Sequence, residues 1–170
     1  MNLLKIIYDK DIGEDVAPLS AYKERKAARA IVFDNVGAVA LLYATKRGYH
    51  KLPGGGIESG EDIVTALARE LSEEIGCAAT NMRELGIIEE YRNRFSLHQT
   101  SCCFLADLEG EKGTPHLEED EIADGFETVW VSLDDAVALL ESETDIQCYE
   151  GKFIRARDFA FLKAVQEMHI

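Results

Sequence analysis

The sequence predicts an α+β fold, because β-prone runs and amphipathic helical patterns follow one another in blocks. β-prone runs precede one central helical pattern and return after it, and two more helical patterns come at the end. The chain has 170 residues, of which 46% are hydrophobic and only three are proline, so its composition suits a folded chain with a sizeable core. We therefore expect a single domain over residues 1–170, built as a mixed sheet packed against helices.

Three β-prone runs come before the central helix. The predicted strands are Leu3–Tyr8, Ala30–Phe33 and Ala38–Ala44. Asp34 and Asn35 favour a turn between the last two strands, which makes a hairpin. Basic residues are frequent at positions 23–29, so the second strand is predicted to begin only at Ala30. Residues 45–51 are polar and are predicted to form a loop.

The central helical pattern begins near Ser59 and ends before Gly76. Ser59 is a favourable N-cap, and Asp62 three residues later can complete a capping box. Apolar residues recur at three- and four-residue steps and predict one buried face: Ile63, Val64, Leu67, Leu71 and Ile75. Gly76 is the residue type expected just after the last helical turn.

The second half of the chain predicts three further strands and two further helices. The strands are Leu85–Tyr91, Phe95–Leu108 and Thr128–Val131, and the helices are Leu133–Glu141 and Lys152–Met168. Ser132 is in a position to cap the first of these helices. Residues 109–120 are polar, contain two glycines and a proline, and are predicted to form a loop.

Three carboxylates share one face of the central helix, at Glu70, Glu73 and Glu74. Two bare carboxylates roughly 4 Å apart repel each other by about 4 kcal/mol at an effective dielectric constant of about 20, so a compensating cation is expected. A hard divalent ion such as Mg²⁺ or Mn²⁺ takes oxygen ligands of this kind. The segment Pro53–Gly56 precedes the helix, and its glycines let backbone groups approach a diphosphate closely.

Together these residues resemble the Nudix box, G-x5-E-x7-R-E-U-x-E-E-x-G-U, in which U is a bulky aliphatic residue. The fixed positions are occupied by Gly55, Glu61, Arg69, Glu70, Leu71, Glu73, Glu74 and Gly76, and the last U position is Cys77. A glutamate-rich helix face on its own is usually a solvated surface. The complete spacing, with Arg69 and the preceding Pro-Gly-Gly-Gly segment, favours a functional site instead.

The resemblance implies the α/β/α sandwich of the Nudix family and the hydrolysis of a nucleoside diphosphate linked to another group. It also implies a divalent cation, Mg²⁺ or Mn²⁺, as the cofactor. The implied metal ligands are Glu70, Glu73, Glu74 and the carbonyl group of Gly55. Arg69 is expected to orient a neighbouring carboxylate, the alternative being an ordinary surface ion pair.

The general base is not fixed across this family. It is either a box glutamate or an acidic residue outside the box. The implied catalytic set here is Arg69, Glu70, Glu73 and Glu121. Glu121 comes from the acidic run 118–121 before the last predicted strand, and the alternative for this run is a solvated acidic loop.

Substrate features are sparse in the sequence. A few basic residues near the predicted site are candidates for binding phosphate, although most are expected to be surface charges: Arg29, Lys46, Arg47, Lys51, Arg92 and Arg94. Tyr91, Phe95 and Trp130 are candidates for stacking on a base, but aromatic residues in strands are usually core residues. Arg92 stands where ADP-ribose hydrolases often have a proline, and Tyr91 precedes the tyrosine position of diadenosine polyphosphate hydrolases. The default substrate is therefore a nucleoside triphosphate or a modified nucleotide, which gives a nucleoside monophosphate.

A net charge of −14 argues against binding to polymeric nucleic acid or to an anionic membrane. No apolar run approaches 18 residues and no secretory signal is visible, which predicts a cytoplasmic protein with reduced cysteines and no membrane span. The expected partner is a small nucleotide, and a homodimer is a further option because dimers are frequent among relatives. The alternative function is a nucleotide sensor without turnover. A thiol redox role for Cys102 and Cys103 is disfavoured, since adjacent cysteines in an apolar strand fill core space.

Overall fold

A seven-stranded mixed sheet runs through the structure, which is a computed structural model that describes residues 1–168. The strands are β1 (Leu3–Tyr8), β2 (Lys23–Phe33), β3 (Ala38–Ala44), β4 (Tyr49–Lys51), β5 (Ala78–Arg92), β6 (Leu97–Glu109) and β7 (Phe126–Ser132). The helices are α1 (Ile63–Ile75), α2 (Glu119–Asp124), α3 (Leu133–Ser142) and α4 (Tyr149–Glu167). Short 3-10 turns lie at Asp9–Ile12 and Asn93–Phe95.

The strand order is β1-β5-β6-β2-β3-β4, and β7 pairs with β3. β1 is parallel to β5, and β2 is parallel to β6, whereas β5 and β6 are antiparallel. The pairing of β2 with β6 extends over the whole of β2, from Lys23 opposite Leu97 to Phe33 opposite Asp107. The polar first half of β2 is therefore as much a part of the sheet as its apolar second half.

The loop between β4 and α1 completes one edge of β2. The register of β2 with β3 contains a single pair, Phe33 opposite Val39, so the rest of this edge needs another partner. The glycine segment, Pro53–Ile57, takes that place. Its hydrogen bonds to β2 are Ala28 N–H to Gly55 O at 2.9 Å, Ala30 N–H to Pro53 O at 3.1 Å and Ile57 N–H to Lys26 O at 3.0 Å. A predicted loop is thus bonded to the sheet like a short strand.

Hydrophobic clusters lie on both faces of the sheet. The cluster beneath α3 and α4 includes Ile31, Leu41, Ile88, Leu140, Phe153 and Phe161. The cluster beneath α1 includes Ala30, Val32, Leu42, Leu67, Leu71 and Ile75. A mixed sheet between helical layers is an α/β/α sandwich, so the predicted α+β fold class is confirmed. None of the helices within residues 1–168 is both long and apolar enough to cross a bilayer.

The start of α1 differs from the prediction. Asp62, not Ser59, is the N-cap, because its carboxylate accepts hydrogen bonds from the N–H groups of Val64 and Thr65, both at 3.0 Å. Val64 was predicted to lie on the buried face but is 46% exposed. It follows Ile63 by about 100° around the helix axis, which turns it away from the sheet.

Several strand boundaries also differ. β2 begins at Lys23 rather than Ala30, and β5 begins at Ala78 rather than Leu85, since long ladders with β6 stabilise polar segments that pattern alone does not predict as strands. β4 lies within the predicted loop 45–51 and pairs with β3. α2 forms at the end of the predicted polar loop, where acidic residues favour the first turn of a helix.

Candidate functional site

A cavity of about 400 Å³ lies between α1, the glycine segment, α2, α4 and the sheet. We call one side the acidic wall, formed by Glu70, Glu74 and Glu121. We call the other side the basic wall, formed by Arg25, Arg29 and Arg92. The acidic wall comes from two helices and the basic wall from two strands, so only the complete sandwich brings these groups together.

Glu74 is the most deeply buried residue of the acidic wall, with 1% of its surface exposed. Its Oε1 accepts a hydrogen bond from Lys51 Nζ at 2.6 Å, and its Oε2 accepts one from the Gly54 N–H at 2.5 Å. Gly54 has a φ of +124°, and a Cβ atom there would lie 2.2 Å from the carbonyl oxygen of Ala28. Glu74 therefore fixes the glycine segment against α1 at a position that requires glycine.

Glu70 faces Gly55 across the entrance to the cavity. A Cβ atom at Gly55 would lie 2.3 Å from both carboxylate oxygens of Glu70, so the missing side chain makes room for this carboxylate. Burial and the nearby charge of Glu74 raise the pKa of Glu70, although Arg69 acts in the opposite direction. The Gly55 carbonyl accepts the hydrogen bond from Ala28 described above, and a carbonyl oxygen has a second lone pair.

Arg69 connects α1 to the loop that precedes it. Its Nη1 donates to Glu70 at 2.8 Å and to Glu73 at 3.2 Å, while its Nε donates to Glu61 at 3.1 Å. Its Nη2 also donates to the Gly56 carbonyl at 3.1 Å. The hydrogen bonds that Arg69 donates to Glu61 are the largest cause of its raised pKa, so this guanidinium stays charged. The Glu73 side chain is 34% exposed and is the most open of the three helix carboxylates.

Glu121 is the residue that α2 contributes to the acidic wall. It is half-buried, and its Oε2 accepts a hydrogen bond from the Glu118 N–H at 2.8 Å. Burial, together with the charge of the adjacent Glu74, raises the pKa of Glu121 to about 7. Two helices that are distant in sequence thus place their carboxyl groups side by side.

Arg29 is the most unusual group of the basic wall. It is 5% exposed, and its Nε and Nη1 atoms have no hydrogen-bond partner among residues 1–168. Burial, together with the positive charge of Arg157, lowers the pKa of Arg29 to about 10, although Asp158 and Glu74 act in the opposite direction. Arg25 lies four residues earlier on the same face of β2 and donates to Gln99 Oε1 at 2.5 Å.

The sequence model of the NUDIX domain matches residues 23–150 of the chain. The match covers most of the sequence and includes the acidic wall, the glycine segment and the basic wall. The chain belongs to the Nudix family. It is accordingly a Nudix-type pyrophosphohydrolase, and Nudix hydrolases act on small nucleotide-derived substrates.

Several solved structures are similar to this fold. The E. coli ORF135 protein is 20% identical with a TM-score of 0.60, and the match covers 90% of this chain and 96% of that one. A MutT NUDIX hydrolase from Burkholderia pseudomallei is 24% identical with a TM-score of 0.55, covering 66% of this chain and 85% of that one. A mutator MutT protein from Bacillus halodurans is 25% identical with a TM-score of 0.55, covering 78% and 80%.

The donor set of this Nudix domain fits a hard divalent cation in its chemistry, since it consists of carboxylate and carbonyl oxygens beside a glycine segment. Burial is the main cause of the raised pKa of Glu70, and the charge of the neighbouring Glu74 adds to it. As the side chains stand, Glu70 and Glu73 bind Arg69 and Glu74 binds Lys51. No three acidic, His or Cys side chains in the described part of the chain are close enough to hold an ion.

The basic residues predicted near the Nudix site divide into two groups. Those that line the cavity are Arg29, Lys51 and Arg92. The other three do not line it: Arg47 pairs with Asp124, Arg94 pairs with Glu14, and Lys46 lies beside Arg47 in the β3–β4 loop. The aromatic candidates Tyr91, Phe95 and Trp130 do not line the cavity either, and the aromatic residues that do are Tyr49 and Phe126.

Two arginines of the cavity were not predicted as site residues, Arg25 and Arg157. Arg157 is fully buried on α4, where its helical spacing with Phe153 and Phe161 is the pattern of a core position. Arg25 could have been found, because Arg25 and Arg29 are separated by an even number of residues and would share one face of a strand. The late start predicted for the second strand, at Ala30, concealed that pattern.

Proposed function

We propose that this Nudix domain hydrolyses a diphosphate bond of a nucleoside triphosphate or modified nucleotide and releases a nucleoside monophosphate, with Mg²⁺ or Mn²⁺ as cofactor. The observation that supports this function is the meeting of Glu70, Glu74 and Glu121 at the glycine segment, opposite a wall of guanidinium groups. An acidic wall suits a cation, and a basic wall suits the phosphate groups that the cation accompanies.

In this proposal Glu70, Glu73, Glu74 and the Gly55 carbonyl would hold the cation. When bound, the cation supplies charge neutralisation at the phosphoryl oxygens. Arg69 fixes the orientation of Glu70 and Glu73 through its two hydrogen bonds to them. The glycine segment lets the substrate approach the backbone because no side chain projects from Gly54 to Gly56.

Glu121 is the proposed general base. Its carboxyl group lines the cavity next to Glu74, and a water molecule between Glu121 and the substrate would lose its proton to this carboxylate. General bases typically contribute about 10²- to 10⁴-fold to a rate. We therefore expect Glu121→Gln to lower kcat by about 100-fold or more. Glu119→Gln, in the same short helix but outside the cavity, is the matched control.

The experiment that tests the function is a panel of nucleoside triphosphates and nucleotide sugars, incubated with Mg²⁺, with Mn²⁺ or with excess EDTA. Chromatography should detect a nucleoside monophosphate only when metal is present. Glu73→Gln and Glu70→Gln should each lower kcat by at least about 100-fold, whereas Glu127→Gln on the exposed face of β7 should leave it unchanged.

Three results would contradict parts of this proposal. Full turnover in EDTA would remove the cation from the mechanism. Normal turnover in both Glu70→Gln and Glu73→Gln would make the ligand assignment wrong. Nucleotide-dependent thermal stabilisation without any product would indicate a sensor rather than an enzyme for the substrates tested.

A further inference from the structure

Two guanidinium groups of the basic wall have no carboxylate partner, although the chain contains 32 acidic and only 18 basic residues. Neither Arg25 nor Arg29 forms a salt bridge with any carboxylate in residues 1–168. By contrast, the neighbouring Arg92 pairs with Glu90 at 2.8 Å and with Glu150 at 3.1 Å. The wall therefore has an excess of positive charge that comes from Arg25 and Arg29.

The nearby carboxylates are already committed to other partners. Arg157 Nε binds Asp158 at 2.7 Å, and Arg157 Nη1 lies 3.5 Å from Glu90. Asp158 also accepts a hydrogen bond from the Leu52 N–H at 2.9 Å. Because these side chains are fully buried and fully engaged, a rearrangement within the protein would break existing pairs to supply Arg29 with a counter-charge.

Leaving Arg29 in this state is costly for the free protein. A buried charge without a hydrogen-bond partner loses its hydration, and for Arg29 only the charges of Asp158 and Glu74 act in the opposite direction. The nearby Arg157 and Arg25 add repulsion, and both lower the pKa of Arg29. A buried guanidinium that lines a cavity and has unpartnered donors has the properties of a ligand-binding residue.

Arg25 is held in place by a row of residues across the sheet. It lies opposite Gln99 on β6, and Gln99 lies opposite Glu90 on β5. Gln99 accepts from Arg25 at 2.5 Å and donates to Glu90 at 2.8 Å. This row orients the Arg25 guanidinium without neutralising it, since its direct partner is an uncharged amide.

The two arginines extend the positive wall along β2, beside the glycine segment. Arg29 adjoins Gly54, where a Cβ atom would lie 2.9 Å from the Arg29 Cα, while Arg25 adjoins Gly56. Four residues of strand separate their Cα atoms by about 13 Å. That length exceeds what one diphosphate needs, so the wall can bind an anionic group further along the substrate.

We propose that Arg25 and Arg29 form an anion subsite that binds a phosphate group of the substrate beyond the diphosphate bond that is cleaved. The assignment of that bond rests on the proposed function. The subsite selects substrates with at least three phosphate groups, such as nucleoside triphosphates, over nucleoside diphosphates joined to a neutral sugar. A planar guanidinium is well matched to phosphate because it donates two parallel hydrogen bonds.

The first test measures anion binding in the absence of metal. Calorimetry with inorganic tripolyphosphate in excess EDTA should show binding to the wild-type protein, and a Kd about 10- to 100-fold higher for Arg29→Met and for Arg25→Gln. Arg83→Gln, which removes an exposed arginine from β5, is the control and should bind like the wild type. Absence of binding to the wild type, or unchanged binding by Arg29→Met, would overturn the proposal.

The same variants separate a binding role from a structural one. Arg29→Met replaces an unpartnered buried charge by an apolar chain of similar length, so the Tm of the ligand-free variant should equal or exceed that of the wild type. Tripolyphosphate should raise the Tm of the wild type but not that of Arg29→Met. A ligand-free variant that unfolds well below the wild type would show that Arg29 stabilises the fold, which would overturn the subsite.

The second test concerns substrate choice. The ratio of kcat/KM for a nucleoside triphosphate to kcat/KM for ADP-ribose should fall about 10-fold or more in Arg25→Gln. An equal loss for both substrates would mean that Arg25 acts on the cleaved diphosphate itself and would overturn the separate subsite. If no form of the protein hydrolyses any substrate, the proposed function is wrong. The binding of tripolyphosphate in EDTA would still show whether Arg25 and Arg29 form an anion-binding site.

Discussion

Glu74 combines two roles that the box motif does not distinguish. It is a proposed metal ligand, and it is also the buried partner of the Lys51 ammonium and the Gly54 N–H. Its side chain is 1% exposed, whereas that of Glu73 is 34% exposed. A change at Glu74 therefore leaves a buried ammonium without its counter-charge, and a change at Glu73 does not.

We predict that Glu74→Gln lowers the free energy of unfolding by about 3 kcal/mol, because removal of one partner of a buried ion pair leaves the other uncompensated. Glu73→Gln, one position away, should change it by less than about 1 kcal/mol. Urea denaturation of the metal-free proteins measures both values.

The double variant Lys51→Met with Glu74→Gln provides the matched control for this pair. It removes both charges, so it should recover at least about 1 kcal/mol relative to the sum of the single changes. Additive losses would mean that the Lys51–Glu74 contact contributes nothing to stability and that Glu74 acts only through the Gly54 N–H.

At the scale of residues, the sequence was informative where spacing on one helix determines the geometry. Glu70 and Glu74 are one turn apart and both line the cavity. The proximity of Glu121 to Glu74 could not be derived in this way, because it depends on how α2 packs near α1. The lack of a hydrogen-bond partner for Arg29 could not be predicted from the sequence either, because it depends on how the interior packs.

At the scale of elements, the glycine segment has the strictest requirements. It is bonded along β2 and is joined to α1 through Glu74 and Arg69. At Gly54 a side chain would meet backbone atoms of β2, which cannot move aside as a flexible side chain could. The segment is therefore fixed in place on two sides.

We predict that Gly54→Ala destabilises the protein by about 3 kcal/mol or more, because a positive φ and an overlap with the Ala28 carbonyl add together. Gly60→Ala is the matched control, since Gly60 has a φ of +85° but nothing within 4 Å of the added Cβ. It should cost only about 1 kcal/mol, from backbone strain alone. Equal losses in thermal or urea unfolding would show that the overlap is relieved by a shift of the segment.

The elements predicted best were those with a strong internal pattern. α1 and the hairpin of β2 and β3 were recognised from periodicity and turn residues. β4 and the first half of β2 were missed because their residues are polar and their strand conformation depends on partners that are distant in the sequence. The bonding of the glycine segment to β2 was missed for the same reason.

At the scale of the whole molecule, one buried carboxylate joins the sheet to α4. Glu90 on β5 binds Arg92 at 2.8 Å and Gln99 at 2.8 Å, and it lies 3.5 Å from Arg157 on α4. Burial alone would raise the pKa of Glu90, but Arg92 and Arg157 outweigh it, and the pKa is lowered. The carboxylate thus stabilises the packing of a helical layer on the sheet only while it is ionised.

We predict a corresponding dependence of stability on pH. Since the pKa of Glu90 is lower in the folded state, its contribution is complete above the unfolded-state value, roughly 4.3, and is lost as the pH falls through the folded-state pKa. Glu90→Gln should lower the free energy of unfolding by about 3 kcal/mol at pH 7. It should also lose less additional stability than the wild type between about pH 5 and pH 3.

Urea unfolding at a series of pH values measures this difference. Glu127→Gln, an exposed change on β7, should give a curve parallel to that of the wild type. Because both variants have the same net charge, the general relief of acidic repulsion at low pH cancels in the comparison. Parallel curves for all three proteins would contradict the role given to Glu90.

The pairing of the glycine segment with β2 has a consequence for self-association. An uncovered strand edge is a template on which chains of the same kind can add to one another and aggregate. Here the glycine segment, which is the proposed substrate-binding backbone, also occupies that edge at Lys26, Ala28 and Ala30. A variant that loosens this segment to admit larger substrates would therefore expose a stretch of unpaired backbone, and poor solubility would accompany the altered specificity.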